Sequence, residues 1–297
     1  MKYEDCRTVR TEEYKSEIVK KINKLSLYDC EEMKCGDVLH YTICAENKHG
    51  IFELIKQLII LIKIAFFDTN NYELCGNANV LFLFGFSVSR KDMYIKFNKL
   101  EAVIHNRLSI NPFGKYKLRR YIFRNIKGLR IPLRWSTQLK DIITNPVERL
   151  KQISMLYRVY CDYNSFLDYE RRNNLQVSKL VTLCDLHVTE SFFTQKFNNI
   201  DKFTISLQHG TYSSVDNPYE FQGIKSKAFL VDGNFTKDEA KTAGIGKNCK
   251  VIPVGLLTSI GVNRQKRPDK YDNHTIGLAL EAEECREDNI NSLKLRT

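Results

Sequence analysis

From Lys179 onward, short apolar runs alternate with helical segments at a spacing that leaves the chain few folds to choose from. Leu180 to Cys184 is expected as a strand ending at Asp185, and Val188 to Phe197 as a helix starting near His187 or Thr189. Phe203 to Leu207 follows as a strand, and Ala228 to Val231 as another that closes at Asp232-Gly233. A helix from Lys237 to Thr242 then has Thr236 as its cap and Gly244 at its end. Val251 to Val254, stopped by Gly255, completes the series. Alternation of this kind builds a parallel sheet covered by helices on both faces. The fold class expected is therefore α/β, a Rossmann-like parallel sheet.

The run Phe203, Thr204, Ile205, Leu207 stops abruptly at Gln208-His209-Gly210. It reads as a buried strand that delivers polar side chains into a turn at its carboxyl end, where ligands of open α/β sheets sit. A histidine there can accept a proton near neutral pH, and Gly210 lets the backbone turn or approach a ligand closely. The same residues also fit a buried histidine bonded to a backbone carbonyl.

Nothing before Lys179 is as regular. Met1 to Tyr41 is charged and helical in pattern, with Ile18, Val19, Ile22 and Leu25 apolar. Ile51 to Phe67 is the most apolar stretch. It is too short, and too interrupted by Glu53, Lys56 and Lys63, to be a membrane span. A core helix is expected there, with docking on a membrane surface as the alternative. Asn79 to Phe84 is a buried strand closed by Gly85 and followed by a helix from Met93 to Ile104, without the G-x-G-x-x-G pattern of dinucleotide sites. Pro146 suits the first turn of a long helix from Val147 to Arg171. Residues 1–75 are thus expected as a helical N-terminal region and 76–256 as the Rossmann-like domain. The polar, basic stretch after Gly255 reads as a linker, so that 257–297 holds it and the start of an incomplete second α/β domain opened by the strand Thr275 to Leu280.

Charge narrows the partners. The chain carries a net charge of +11, which calls for an anionic partner. Ala102 to Lys140 has no acidic residue but contains Arg107, Lys115, Lys117, Arg119, Arg120, Arg124, Lys127, Arg130, Arg134 and Lys140, interleaved with aromatic and aliphatic residues. This fits docking at an anionic membrane surface or on a lipid-linked phosphate, and equally a solvated rim. No nucleic-acid-binding motif is visible, and nucleic acid is not expected as a partner. Nine cysteines without disulfide-like regularity, and no secretory signal, point to a reducing cytoplasm. Cys30, Cys35, His40 and Cys44 are spaced loosely like a zinc knuckle, but neither cysteine gap is short, and no metal is expected.

The pieces TLCD (Thr182 to Asp185), TISLQHGTY (Thr204 to Tyr212), FLVDGNFTKDEAKTAGI (Phe229 to Ile245) and KVIPVG (Lys250 to Gly255) carry a likeness. Together they resemble the acceptor-side domain of bacterial GT-B glycosyltransferases that build capsular and other surface polysaccharides. His209-Gly210-Thr211 is also similar to the HGT element of CDP-glycerol glycerophosphotransferases. The resemblance covers about a quarter of the chain strongly. It implies two Rossmann-like domains across a cleft, the first holding a lipid-linked or polymeric glycan acceptor and the second a nucleotide-sugar or CDP-polyol donor, with almost all of that second domain missing from this sequence. A chain ending at Thr297 is expected to lack turnover.

The implied enzyme works without metal or cofactor, at the cytoplasmic face of the plasma membrane. His209 would be its general base. Gln208, Gly210 and Thr211 would bind acceptor hydroxyls, Asp185 would orient the imidazole, and Asp232 would line the cleft. Asp185 also fits a helix-capping carboxylate, and Asp232 a turn former. The alternatives are transfer of a polyol phosphate, as in teichoic-acid synthesis, and a non-catalytic remnant that binds an anionic partner.

Overall fold

A computed structural model of the chain describes residues 14–43, 50–85, 97, 101, 104–111, 115–119, 128–208, 223–245 and 249–254. Its centre is a seven-stranded sheet in the order β2-β4-β3-β6-β7-β8-β9. These strands are β2 (Asn71–Cys75), β3 (Val80–Leu83), β4 (Arg107–Asn111), β6 (Lys179–Thr182), β7 (Phe203–Leu207), β8 (Ala228–Val231) and β9 (Lys250–Pro253). β2 runs antiparallel at one edge, and the other six strands are parallel. The fold is Rossmann-like α/β. β7 and β8 have the bounds expected from sequence, because a parallel strand buried on both faces is written as one continuous apolar run.

From β3 the chain goes to β4 on one side, then returns past β3 to β6 and proceeds outward through β7, β8 and β9. The order therefore reverses between β3 and β6. Crevices beyond the carboxyl ends at such a reversal are where open α/β sheets hold ligands. Helix α5 (Pro146–Arg172) and helix α6 (Val188–Asn199) cover one face, packing Ile153, Leu156, Phe166, Phe192, Phe193 and Phe197 with Leu81 and Leu180. On the other face Phe97 packs on Phe84, with ring centres 4.3 Å apart, and joins Val181, Leu183 and Leu207. Helix α7 (Asn234–Thr242) buries Ala240 with Phe229 and Val231.

Local signals set the helix ends. Asn145 caps α5, its Oδ1 accepting from the backbone N–H of Val147 at 3.0 Å and of Glu148 at 3.4 Å, with Pro146 in the first turn as expected. α7 starts three residues earlier than its sequence pattern, at Gly233-Asn234, so Thr236 lies inside the helix and is buried.

The N-terminal stretch is not set apart from the sheet. Helix α1 (residues 14–23) and α2 (Cys35–Leu39) place Ile18, Val19, Ile22, Val38 and Leu39 in the same core cluster as Leu81 and Leu180. Gly36 makes this approach possible, since a Cβ there would lie 2.2 Å from the carbonyl oxygen of Val19. β2 itself falls within residues 1–75, and the elements through β9 belong to one compact unit, Met1–Ile260. The expected linker and second-domain start at 257–297 lie outside the described residues. Helix α3 (Ile51–Phe66) is followed by a two-stranded ribbon of β1 (Phe67–Asp68) with β5 (Lys117–Leu118). Among the described residues no helix is long and apolar enough to cross a membrane. α4 (Arg130–Leu139) buries Trp135, whose indole N–H donates to the Tyr28 carbonyl at 2.8 Å.

Candidate functional site

The residues expected to form the site divide into three groups. Gln208 and Asp232 are brought together at the carboxyl ends of β7 and β8: Gln208 Oε1 accepts from the backbone N–H of Asp232 at 2.8 Å, and the Gln208 N–H donates to the Leu230 carbonyl at 2.9 Å. Gln208 is buried and stitches one strand tip to the next, while Asp232 is half-buried. His209, Gly210 and Thr211 lie outside the described residues.

Asp185 is placed elsewhere. It is fully buried, and its Oδ2 accepts from the backbone N–H groups of Lys225 and Ser226, both at 2.7 Å. Those bonds hold the chain as it enters β8. Its Oδ1 has no hydrogen-bond partner. Burial raises the Asp185 pKa despite the nearby Lys225 ammonium and the two N–H donors. The carboxylate expected to orient an imidazole thus spends one oxygen on the backbone, and neither residue it bonds was expected in the site.

A further acid was missed by sequence reasoning. Glu190, in the first turn of α6, is fully buried beside the β3–β6 reversal, and neither of its oxygens has a well-formed hydrogen bond. Its carboxylate lies against the strand-end glycine of β3: a Cβ on Gly85 would stand 2.1 Å from Glu190 Oε2. Burial pushes its pKa up to about 8, and the negative field of Asp185 adds to this, against the pull of the Gly85 and Glu190 backbone N–H groups. Such an acid holds its proton at neutral pH and is poised to exchange it, which is a common property of functional carboxyls. On the same helix Ser191 Oγ and Thr194 Oγ1 are also buried without partners. A signal was available in the sequence, because Glu190, Phe193 and Phe197 share the i, i+3, i+7 stripe that α6 turns to the core.

A separate cavity of about 480 Å³ is lined by Tyr28, Tyr72, Tyr157, Tyr160 and Tyr169, with Arg119 among its walls; neither Asp185, Gln208 nor Asp232 borders it. The rings of Tyr72 and Tyr169 stack at 4.2 Å. Arg119 ties the ribbon to the helices, donating to the carbonyls of Ile64 and Phe67, both at 3.1 Å, to that of Cys161 at 3.2 Å and to Asp162 Oδ1 at 3.3 Å. Arg107 is likewise turned inward, with its Nε donating to Glu101 at 3.1 Å. Two cations of the basic stretch are therefore taken up by the fold, while Lys115, Lys117, Arg130, Arg134 and Lys140 are exposed.

Cys30 and Cys35 are buried next to one another, and the Cys30 thiol is pushed up by its hydrogen bond to Cys35 and by burial. Cys44 lies outside the described residues, and among those described no three His, Cys, Asp or Glu side chains are grouped as metal ligands. Compared with known protein families, curated sequences and solved structures, the chain finds no significant match.

Proposed function

We propose that this protein is the acceptor side of a glycosyltransferase that moves a sugar from a nucleotide-activated donor to a lipid-linked or polymeric glycan in bacterial surface polysaccharide synthesis. The reading rests on the likeness of residues 180–255 to GT-B enzymes. The structural observation that supports it most is the tip of β7: a buried Gln208, bonded to Asp232, ends the strand at the carboxyl edge of a parallel sheet, and His209 is the next residue in the chain.

In the proposed step, an acceptor hydroxyl gives its proton to the imidazole of His209 as its oxygen attacks the anomeric carbon of the donor. The bond from that carbon to the phosphate oxygen breaks, and the nucleoside diphosphate leaves with the electron pair. A sugar hydroxyl is a poor nucleophile, so a base within hydrogen-bond reach supplies a rate factor of about 10² to 10⁴. The exposed cations among residues 102–140 suit an acceptor carried on an anionic lipid.

The test is transfer from a nucleotide-sugar donor to a glycan acceptor. His209→Ala is expected to lower turnover by at least about a hundredfold, with donor affinity little changed. Near-normal turnover in that variant would exclude His209 as the base. Transfer from a CDP-polyol, with none from any nucleotide sugar, would replace the proposed donor class.

A further inference from the structure

A helix on the surface of a globular protein buries one apolar stripe and gives water the opposite face. α3 does not follow this rule. Leu61 and Ala65 are buried in the core shared with α5, yet Ile51, Phe52, Ile55, Leu58, Ile59 and Ile62 are all exposed, Phe52 at 85%. At about 100° of turn per residue, these six side chains fall within one sector. The helix is thus apolar on two sides, and only one of them faces the described residues. Beside the exposed sector, Leu58 and Ile62 join Leu129, Pro132, Leu133 and Leu150 in an apolar groove of about 400 Å³.

Charge decides among the occupants. Lys56 and Lys63 stand along one border of the exposed sector, and Arg149 is on the groove wall. α4, which forms the far wall, has Arg130 and Arg134 and no acidic residue. Glu53, the acid on α3, is occupied by Gln57 at 2.9 Å and by Lys56 at 3.3 Å. A second copy of this chain on the same face would set these cations against their own equivalents. An anionic lipid surface offers acyl chains to the apolar sector and phosphates to its border.

We propose that α3 and its groove seat this protein on an anionic bilayer, with the helix lying in the plane of the interface. At about 1.5 Å per residue, its 16 residues reach less than the thickness of the hydrocarbon layer. The six exposed side chains enter the acyl region while Lys56 and Lys63 stay at the headgroups. The membrane contact is then carried by α3 together with the exposed cations Arg130 and Arg134 of α4. The inference stands apart from the transfer reading, since vesicle binding is measured without turnover.

The experiment is co-sedimentation of the whole chain with phosphatidylcholine vesicles, with and without phosphatidylglycerol. Binding to the anionic vesicles is expected, falling about a hundredfold in Phe52→Ser/Ile59→Ser because two large apolar side chains no longer leave water. Lys56→Glu/Lys63→Glu is expected to weaken binding about tenfold and to reduce its salt dependence. All four side chains are exposed, so the fold, followed by circular dichroism, stays intact. Absence of binding to anionic vesicles, or binding undiminished in Phe52→Ser/Ile59→Ser, would overturn the proposal. So would a vesicle-free dimer that the same two substitutions abolish, because the face would then belong to a second copy.

Discussion

Glu190→Gln is expected to remove a pH dependence of stability that the parent protein shows between about pH 4.5 and 8. In the folded chain Glu190 keeps its proton up to about pH 8, against an ordinary value of 4.5. Between those limits the folded state binds a proton that the unfolded state has released, so stability falls as pH rises. The contribution is fully present below pH 4.5 and lost above about pH 8. The whole interval corresponds to roughly 5 kcal/mol. Glutamine is neutral throughout and nearly isosteric, so the variant should lack this slope and exceed the parent in stability at alkaline pH. Asp162, pushed up to about 6 by burial, gives a slope of the same sign, but it is common to both proteins and cancels in the difference. Urea unfolding across this pH range reports the result through Trp135, the single tryptophan, which is fully buried. Parallel profiles for the two proteins would mean that Glu190 is ionised and solvated rather than sealed against Gly85.

Arg119→Met is expected to cost about 3–5 kcal/mol, the usual consequence of leaving a buried charge without its partner. Asp162 is buried, and its principal counter-charge is the Arg119 guanidinium at 3.3 Å, with Arg158 more distant at 3.9 Å. The substitution also strands the carbonyls of Ile64, Phe67 and Cys161, which now accept from Arg119. These bonds join α3, the β1–β5 ribbon and α5, so the ribbon should loosen first, seen as faster hydrogen exchange at the backbone N–H of position 119, which donates to the Phe66 carbonyl. Removing both charges, in Arg119→Met/Asp162→Leu, should recover a large part of the loss because no orphan charge is left. If the double variant is as unstable as the single one, the carbonyl contacts and not the ion pair carry the stability.

How much of this was legible depends on what each residue was recruited to do. β7 and β8 could be read to the residue, because strands buried on both faces are apolar throughout and end where turn residues begin. β4 was hidden inside the basic stretch. Its Arg107 and Ser109 look like surface residues in the sequence, but in the fold Glu101 accepts from both. α3 was legible as a helix, with a core position and docking on a membrane surface both left open, since hydrophobicity does not distinguish a face that meets protein from a face that meets something else. Asp185 was singled out as a carboxylate past a strand end, and its partners are backbone N–H groups about forty residues away in sequence. No local pattern encodes such a contact. Glu190 could have been found by asking why an acid lies on the same helical stripe as Phe193 and Phe197.

In the proposed transfer, His209, two residues after β7 ends, takes the proton of an attacking alcohol. The test is the pH dependence of kcat/KM for transfer from a nucleotide sugar, compared between the parent protein and His209→Ala. The parent should show an acid limb that falls away near an imidazole pKa, about 6.5, and the variant should retain only a low rate without that limb. An acid limb that persists unchanged in His209→Ala would contradict the account and assign the proton to another group.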